Sequence, residues 1–210
     1  MNNCNFKVGK KLQKTNDGGI YRILNHDYPF KNIAVKLMDP KENENYRKEI
    51  DITGLATEIE IAPKVFDSCV INFEGNEYYG LVFEYIDNAK SINKIFQENR
   101  INLKNTEYIK QLLDVMYNNG IIHNDLHGEN IIFNSKYRPY IIDFGMSDLH
   151  NDVIPFDTRD YNIELSGPNN ELIILNVENN TLTKINYNFK TYKTTQEVIQ
   201  LTIKKFFKID

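Results

Sequence analysis

No segment of the 210-residue sequence holds 18 consecutive apolar residues, which excludes a helix long enough to cross a bilayer. Cysteine occurs twice, at Cys4 and Cys69, too rarely for a disulfide-built scaffold; this usage points to a reducing compartment. The start, Met1-Asn2-Asn3-Cys4-Asn5, has no basic region leading into an apolar one, and Gly does not follow Met. Neither a signal peptide nor myristoylation is therefore expected. Excess positive charge is lacking as well. The net charge is -4, and the basic residues are dispersed except at Lys204 and Lys205, so there is no footprint for nucleic acid. What the chain does contain, 41% hydrophobic residues with 13 Tyr and 12 Phe, is enough for a packed core. Its length suits one sizeable domain or two small lobes sharing a cleft.

The informative polar residues lie together. Between apolar runs, residues 121–133 carry His123-Asn124-Asp125-Leu126-His127-Gly128-Glu129-Asn130, and Asp143-Phe144-Gly145 follows after Tyr140-Ile141-Ile142. A lone Asp-Phe-Gly is an ordinary turn, and a lone His before Asp is a satisfied core residue. Their joint order and spacing, 5 residues from Asp125 to Asn130 and 18 from Asp125 to Asp143, set them apart. Taken together the two stretches resemble the catalytic loop and magnesium-binding turn of the protein kinases. The resemblance implies that Asp125 sits beside an incoming hydroxyl, that Asn130 holds a metal ion, and that Asp143 bridges magnesium to the phosphates of ATP. Oxygen ligands are what that hard cation prefers. It also implies a fold class: α+β, a two-lobed kinase-like architecture with an N-terminal antiparallel sheet carrying one helix and a reduced, mainly helical C-terminal lobe. The expected boundaries are 1–83 for the first lobe, 84–90 for a hinge and 91–210 for the second.

The N-terminal half reads as a meander of short strands over 6–9, 18–24 and 32–37. The last contains Ala34-Val35-Lys36, which resembles the kinase strand whose lysine reaches the phosphates; taken alone it is an exposed strand lysine. A helix is expected over 44–57, with Tyr46, Ile50, Thr53 and Leu55 or Thr57 near one face. The resemblance implies that Glu49, 13 residues beyond Lys36, is the partner that orients the lysine, with Glu44 and Glu58 as alternatives. Residues 61–66 match the loop and strand that follow this helix in many kinases. Glu74-Gly75-Asn76 marks a hairpin turn before a strand ending at Phe83. By resemblance Phe83 is the gatekeeper, and backbone groups of the hinge at Glu84 and Ile86 meet the adenine edge. The phosphate loop departs from the family: Gln13 and Thr15 stand where its first two glycines belong, leaving Gly18 and Gly19. Losing glycine there weakens the grip on nucleotide or changes the loop's shape.

In the C-terminal half, Ser91 is placed to cap a short helix to Gln97, and Asn105 or Thr106 a longer one to Asn118. The longer one has the stripe Tyr108, Ile109, Leu112, Leu113, Met116 and ends at Gly120. Beyond Gly145 no A-P-E sequence closes an activation segment, and 65 residues remain. Asp160, in Asp157-Thr158-Arg159-Asp160-Tyr161, is the candidate for the family's anchor of the catalytic-loop backbone. A hairpin is expected over 172–185, and a closing amphipathic helix over 195–208 with Val198, Leu201, Ile203 and Phe206 facing inward. His127 stands where serine/threonine kinases typically carry a lysine, and the Asp-Leu-His run also resembles aminoglycoside and choline phosphotransferases. The short C-terminal half has no room for the acceptor pocket of those enzymes. It resembles a minimal, atypical serine/threonine kinase of viral or bacterial-effector type, in keeping with the AT-rich coding bias suggested by abundant Asn, Ile and Lys. The expectation is thus an ATP- and magnesium-dependent enzyme, a cytoplasmic monomer acting on a protein substrate, without nucleic-acid or membrane partners. If viral, it belongs in the host cytoplasm or the virion; if a secreted effector, in the host cytosol. The alternatives are a small-molecule phosphotransferase and a nucleotide-binding pseudokinase scaffold.

Overall fold

β-branched and aromatic residues alternate with polar ones through the first part of the chain, and there the backbone forms a sheet. The computed structural model describes residues 2–4, 6–15, 18–29, 31–39, 41, 46–167, 171–185 and 199–202. Two compact units are present, Met1–Asp87 with Asp143–Ser147, and Asn88–Ile142 with Asp148–Asp210.

In the first unit six strands, β1 (Asn2–Asn3), β2 (Lys7–Gln13), β3 (Gly18–Leu24), β4 (Ile33–Met38), β5 (Val65–Phe73) and β6 (Asn76–Glu84), pair in the order β1-β5-β6-β4-β3-β2. Strands β2 to β6 are antiparallel, as expected from the meander; β1 adds in parallel to β5. Helix α1 (Tyr46–Glu58) lies between β4 and β5 in sequence. Strand β4 sets the layering. Its Ile33, Val35 and Leu37 join Ile23, Cys69, Ile71 and Val82 in one core cluster, while Met38 packs with Tyr46 and Leu81 in another. Alternation therefore puts Lys36 on the face opposite the larger cluster. The expected turn at Glu74-Gly75 is formed, both residues at positive φ (52° and 81°), the signature of a tight hairpin.

Two expectations change here. The helix buries Tyr46, Glu49, Ile52 and Ala56 rather than a stripe through Ile50 and Thr53, because its inward face is shifted by one residue, about 100°, toward Glu49. Glu44 lies outside the described residues. Cys4 and Cys69, whose scarcity pointed to a reducing compartment, are joined as a disulfide with their Cα atoms 5.4 Å apart. The pairing of β1 with β5 brings them together: Asn3 lies opposite Val70, and the Cys4 amide donates to the Val70 carbonyl (3.2 Å).

The second unit contains β7 (Lys90–Ser91), α2 (Ile92–Gln97), α3 (Leu103–Asn118), β8 (Ile121–Ile122), β9 (Ile131–Phe133), β10 (Pro139–Ile141) and β11 (Asp148–Leu149), followed by β12 (Asn162–Ser166), β13 (Leu172–Asn176), β14 (Thr181–Ile185) and β15 (Ile199–Thr202). Ser91 caps α2 as expected, its Oγ accepting from the Lys94 amide. The cap of α3 falls earlier than expected, at Asn102. Asn102 and Asn105 form a reciprocal capping box, so the residue expected to be the cap is its partner. Of the expected stripe of α3, Ile109, Leu113 and Met116 are fully buried and Tyr108 and Leu112 partly so, while Asn105, Thr106 and Tyr117 are also buried. Gly120, at φ 73°, ends the helix; a Cβ there would lie 2.2 Å from the His150 carbonyl oxygen, so only glycine fits.

The expected hairpin is β13–β14, and it is the middle of a four-stranded antiparallel sheet in the order β12-β13-β14-β15. The closing helix expected over 195–208 is overturned at Ile199–Thr202, which runs as a strand with Leu201 opposite Leu182. Ile-Gln-Leu-Thr alternates with period two, and the edge of β14 offers its backbone partners. Residues 195–198 and 203–208, with Val198, Ile203, Phe206 and both terminal lysines, lie outside the described residues.

Candidate functional site

In the first unit the site is built on β4 and α1. Lys36 Nζ lies 2.6 Å from Glu49 Oε1 and 3.0 Å from Asp143 Oδ1. The pairing implied by the family resemblance is thus formed, and Asp143 joins it. Glu58 sits at the exposed end of α1 and plays no part. Burial by itself would lower the lysine's pKa, but the two carboxylates outweigh it and push the pKa above the ordinary lysine value. Lys36 therefore stays cationic at any working pH. Glu49 is almost wholly buried, with 3% of its side chain exposed, whereas Asp143 is 50% exposed. Asp143 adopts a left-handed conformation (φ 63°, ψ 70°), which non-glycine residues hold only when their surroundings enforce it; such strain gathers at functional positions. One of its oxygens is bound to Lys36, and the half-exposed carboxylate keeps a second one for a ligand.

The remaining nucleotide-loop and hinge residues are placed as follows. Gly18 and Gly19 open β3, opposite Met38 and Leu37, and Lys11 Nζ donates to the Gly18 carbonyl (3.1 Å). At the end of β6, the Glu84 amide donates to the Lys64 carbonyl (2.8 Å) and the Tyr85 amide to that of Asn32 (2.9 Å). Ile86 follows, partly buried, one residue before the unit ends at Asp87.

In the second unit, α3 and the short strands β8, β9, β10 and β11 hold the loop from His123 to Asn130. Strand β8 pairs with β11, and β9 with β10 and β7. His123 is buried, and since a carbonyl can only accept, its Nε2–H donates to the Ile142 oxygen (3.0 Å). Asn124, at φ 62°, donates through Nδ2 to Asp148 (2.7 Å). Asn130 closes the loop on itself. Its amide donates to His127 O (2.9 Å), its carbonyl accepts from the Ile142 amide (2.9 Å), and its Nδ2 donates to Asp125 O (2.9 Å). Committing the NH2 end leaves the amide oxygen of Asn130 as the group suited to a cation. The Asp125 carboxylate is half exposed, open to an acceptor. His127 Nδ1 accepts from the Glu129 amide (3.2 Å), and Nε2 lies 3.7 Å from Asp125 Oδ2.

Asp143 offers a carboxylate in the first unit and Asn130 an amide oxygen in the second, and each is the kind of hard oxygen donor that magnesium takes. Asp160 is not the loop's anchor: its Oδ1 accepts from the backbone and side chain of Asn162 (2.9 and 2.8 Å), and its carbonyl takes the Tyr117 hydroxyl. Just before it the chain makes a single tight turn at Phe156–Thr158 and then runs extended. Sequence reading passed over Asn93, which the fold brings against Gly128; the available signal was a glycine inside the catalytic motif, a position where another group must approach closely.

Residues 6–169 match the model of the protein kinase domain family. The chain is similar to NUAK family SNF1-like kinase 1 of Mus musculus, 24% identical over 157 residues, covering 70% of this chain and 23% of that protein. It is similar to calcium-dependent protein kinase 4 of Plasmodium falciparum, 30% identical over 131 residues (58% and 24%). Serine/threonine-protein kinase PKH2 of Candida albicans is 29% identical over 154 residues (70% and 16%). The chain thus spans about a quarter or less of the length of these relatives. With the family's motifs in order and most of its length matched, the chain belongs to the protein kinase domain family.

Proposed function

We propose that the protein transfers the γ-phosphate of ATP to a serine or threonine hydroxyl of a protein, as a minimal kinase. The observation that carries this reading is the retention of the whole polar set: Lys36 with Glu49 and Asp143 on one unit, Asp125 with Asn130 on the other. In the protein kinase family, groups of these two kinds serve one nucleotide. A scaffold that merely bound ATP would need neither the proton acceptor nor both metal ligands. In this reading Asp125 aligns the acceptor hydroxyl and takes its proton as the new O–P bond forms and the bond from γ-phosphorus to the ADP oxygen breaks. Lys36, oriented by Glu49, holds the non-transferred phosphates. Asp143 and Asn130 would hold magnesium, which would neutralise charge developing on the phosphate oxygens. The names of the relatives support a protein acceptor, and one carries serine/threonine specificity in its name. A second reading, a small-molecule acceptor, is favoured by His127, whose ring stands beside Asp125 where a protein kinase typically carries lysine.

The test is transfer from γ-labelled ATP with magnesium into lysate proteins freed of small molecules, comparing wild type with Asp143→Ala. Labelled protein bands that vanish in the variant support a protein kinase. No bands, but ATP consumption once metabolites are restored, supports the second reading. No consumption under either condition refutes both.

A further inference from the structure

The loop bearing Asp125 and Asn130 has to be held from outside itself, and Asp160, whose hydrogen bonds go to Asn162 and Tyr117, does not hold it. One buried polar side chain does reach it. Asn93, on the first turn of α2, is only 5% exposed. Its backbone N–H donates to the Gly128 carbonyl (3.3 Å), and its Nδ2 donates to Glu129 Oε1 (2.8 Å). Its Oδ1 accepts from the Ser166 amide at the end of β12 (3.0 Å). From the same strand, the Glu164 carbonyl accepts the Gly128 amide (2.7 Å), and Glu164 bridges His127 in parallel register. A Cβ on Gly128 would stand 2.2 Å from Asn93 Oδ1 and 2.8 Å from Leu165 Cδ2, so the glycine leaves room for this approach.

We propose that Asn93 is the positioning residue of the catalytic loop, the side chain through which α2 and β12 together hold residues 127–129 and so fix Asp125 and Asn130 on either side. The inference rests on the reading of those two residues as catalytic. The chemistry demands an amide at this place. One end must donate to a carboxylate and the other must accept from a backbone N–H; an aspartate offers only acceptors and an aliphatic residue neither. Asn93 is itself buried, so a polar atom of its side chain left unmatched has little water to turn to. Residues 127–129 occupy most of the stretch between the two functional residues, and the Asn130 amide itself bonds His127 O (2.9 Å). Displacing the clamped residues moves both.

The test is a reciprocal exchange. Asn93→Asp sets a carboxylate against Glu129 while still serving Ser166, and kcat is expected to fall about 10–100-fold, the loss typical of a misplaced reacting group, with the KM for ATP little changed. Adding Glu129→Gln restores a donor–acceptor pair with its direction reversed, and kcat is expected to recover. Hydrogen exchange of the peptide spanning 125–130 gives a second readout that does not depend on activity. It should quicken in Asn93→Asp and in Glu129→Ala, the latter a change at an exposed position that leaves folding intact, so that it carries the test should Asn93→Asp fail to fold. Exchange unchanged from wild type, or a loss of kcat that only follows the folded fraction and is not rescued by Glu129→Gln, overturns the proposal. A wild type that transfers no phosphate refutes the functional reading instead, while exchange still decides whether Asn93 holds the loop.

Discussion

Replacing Lys36 by methionine should cost more than the loss of one ion pair, because the lysine's main partner cannot return to water. Glu49 has 3% of its side chain exposed and Lys36 12%, with 2.6 Å between their charged atoms. Removing one partner of a buried pair typically costs about 3–5 kcal/mol, since the other charge is left uncompensated. The half-exposed Asp143 adds little to this, for an exposed pair is worth about 0–1 kcal/mol. Lys36→Met should therefore be destabilised by about 3–5 kcal/mol at pH 7.5 in urea denaturation, against a total of about 5–15 kcal/mol for a typical domain. The penalty also has a sign in pH. Without the lysine's charge beside it, the buried Glu49 carboxylate is protonated more readily in the folded variant than in the unfolded chain, so the folded variant binds more protons. Its stability then rises as the pH is lowered, by up to about 1.4 kcal/mol per pH unit. The double change Lys36→Met with Glu49→Leu should restore most of the stability, because well-packed apolar replacements of buried pairs are close to neutral, yet it should restore no phosphoryl transfer. A Lys36→Met variant within about 1 kcal/mol of wild type at pH 7.5 would refute the reasoning, because that is the value of a solvated pair.

Three further perturbations test the packing. Gly120→Ala forces a Cβ to 2.2 Å from the His150 carbonyl and into a left-handed backbone; the conformation alone costs about 1–2 kcal/mol, and thermal melting should fall by about 2–4 °C for each kcal/mol. Asp114 would be raised by burial, but hydrogen bonds from Tyr161 and Lys110 prevail and hold its carboxyl below the usual range. Its contribution is therefore complete above the ordinary value of about 3.9 and is lost as the pH falls through the lower folded value, so wild type and Asp114→Asn should differ in denaturant stability at pH 7 and converge in acid. Reduction of Cys4–Cys69, which closes 65 residues of chain, should lower stability by about 4 kcal/mol on the chain-entropy account; an unchanged melting temperature in dithiothreitol would show that the bond does not constrain the unfolded chain.

The parts legible in the sequence are those whose signal is local or whose spacing is fixed by chemistry. Lys36 and Glu49 could be paired on paper because one sits on a strand and the other on the helix that follows it, and a shared ligand constrains their separation. The catalytic loop was legible for the same reason, and the turn at Glu74-Gly75 because few residue pairs accept two positive φ values in succession. The failures come from partners that periodicity cannot see. Asn102 and Asn105 are chemically identical caps three residues apart, and only their reciprocal bonds decide which opens α3. Four residues at Ile199–Thr202 satisfy helical and strand patterns alike, and pairing with β14 settles them. Cys4 and Cys69 carry no local mark of each other across 65 residues.

Asp160 and Asn93 show where reading by resemblance stops. The family resemblance puts the anchor of the catalytic loop on an acid after the Asp-Phe-Gly turn; the hydrogen bonds instead come from an amide 36 residues before the Glu129 that it bonds, and Asp160 is spent on Asn162. The physical requirement is unchanged, since a loop that must hold a proton acceptor and a metal ligand at fixed separation needs bonds to rigid elements on either side. Helix α2 and strand β12 meet that requirement here, and β12 can serve because the hairpin expected over 172–185 is extended on one side into a sheet. The strands that follow the Asp-Phe-Gly turn are therefore part of the site's support. Destabilising β12 at its register with β13, for instance by Leu165→Ala at a buried position, should loosen the 125–130 segment before the rest of the unit, and hydrogen exchange resolved by peptide would show it.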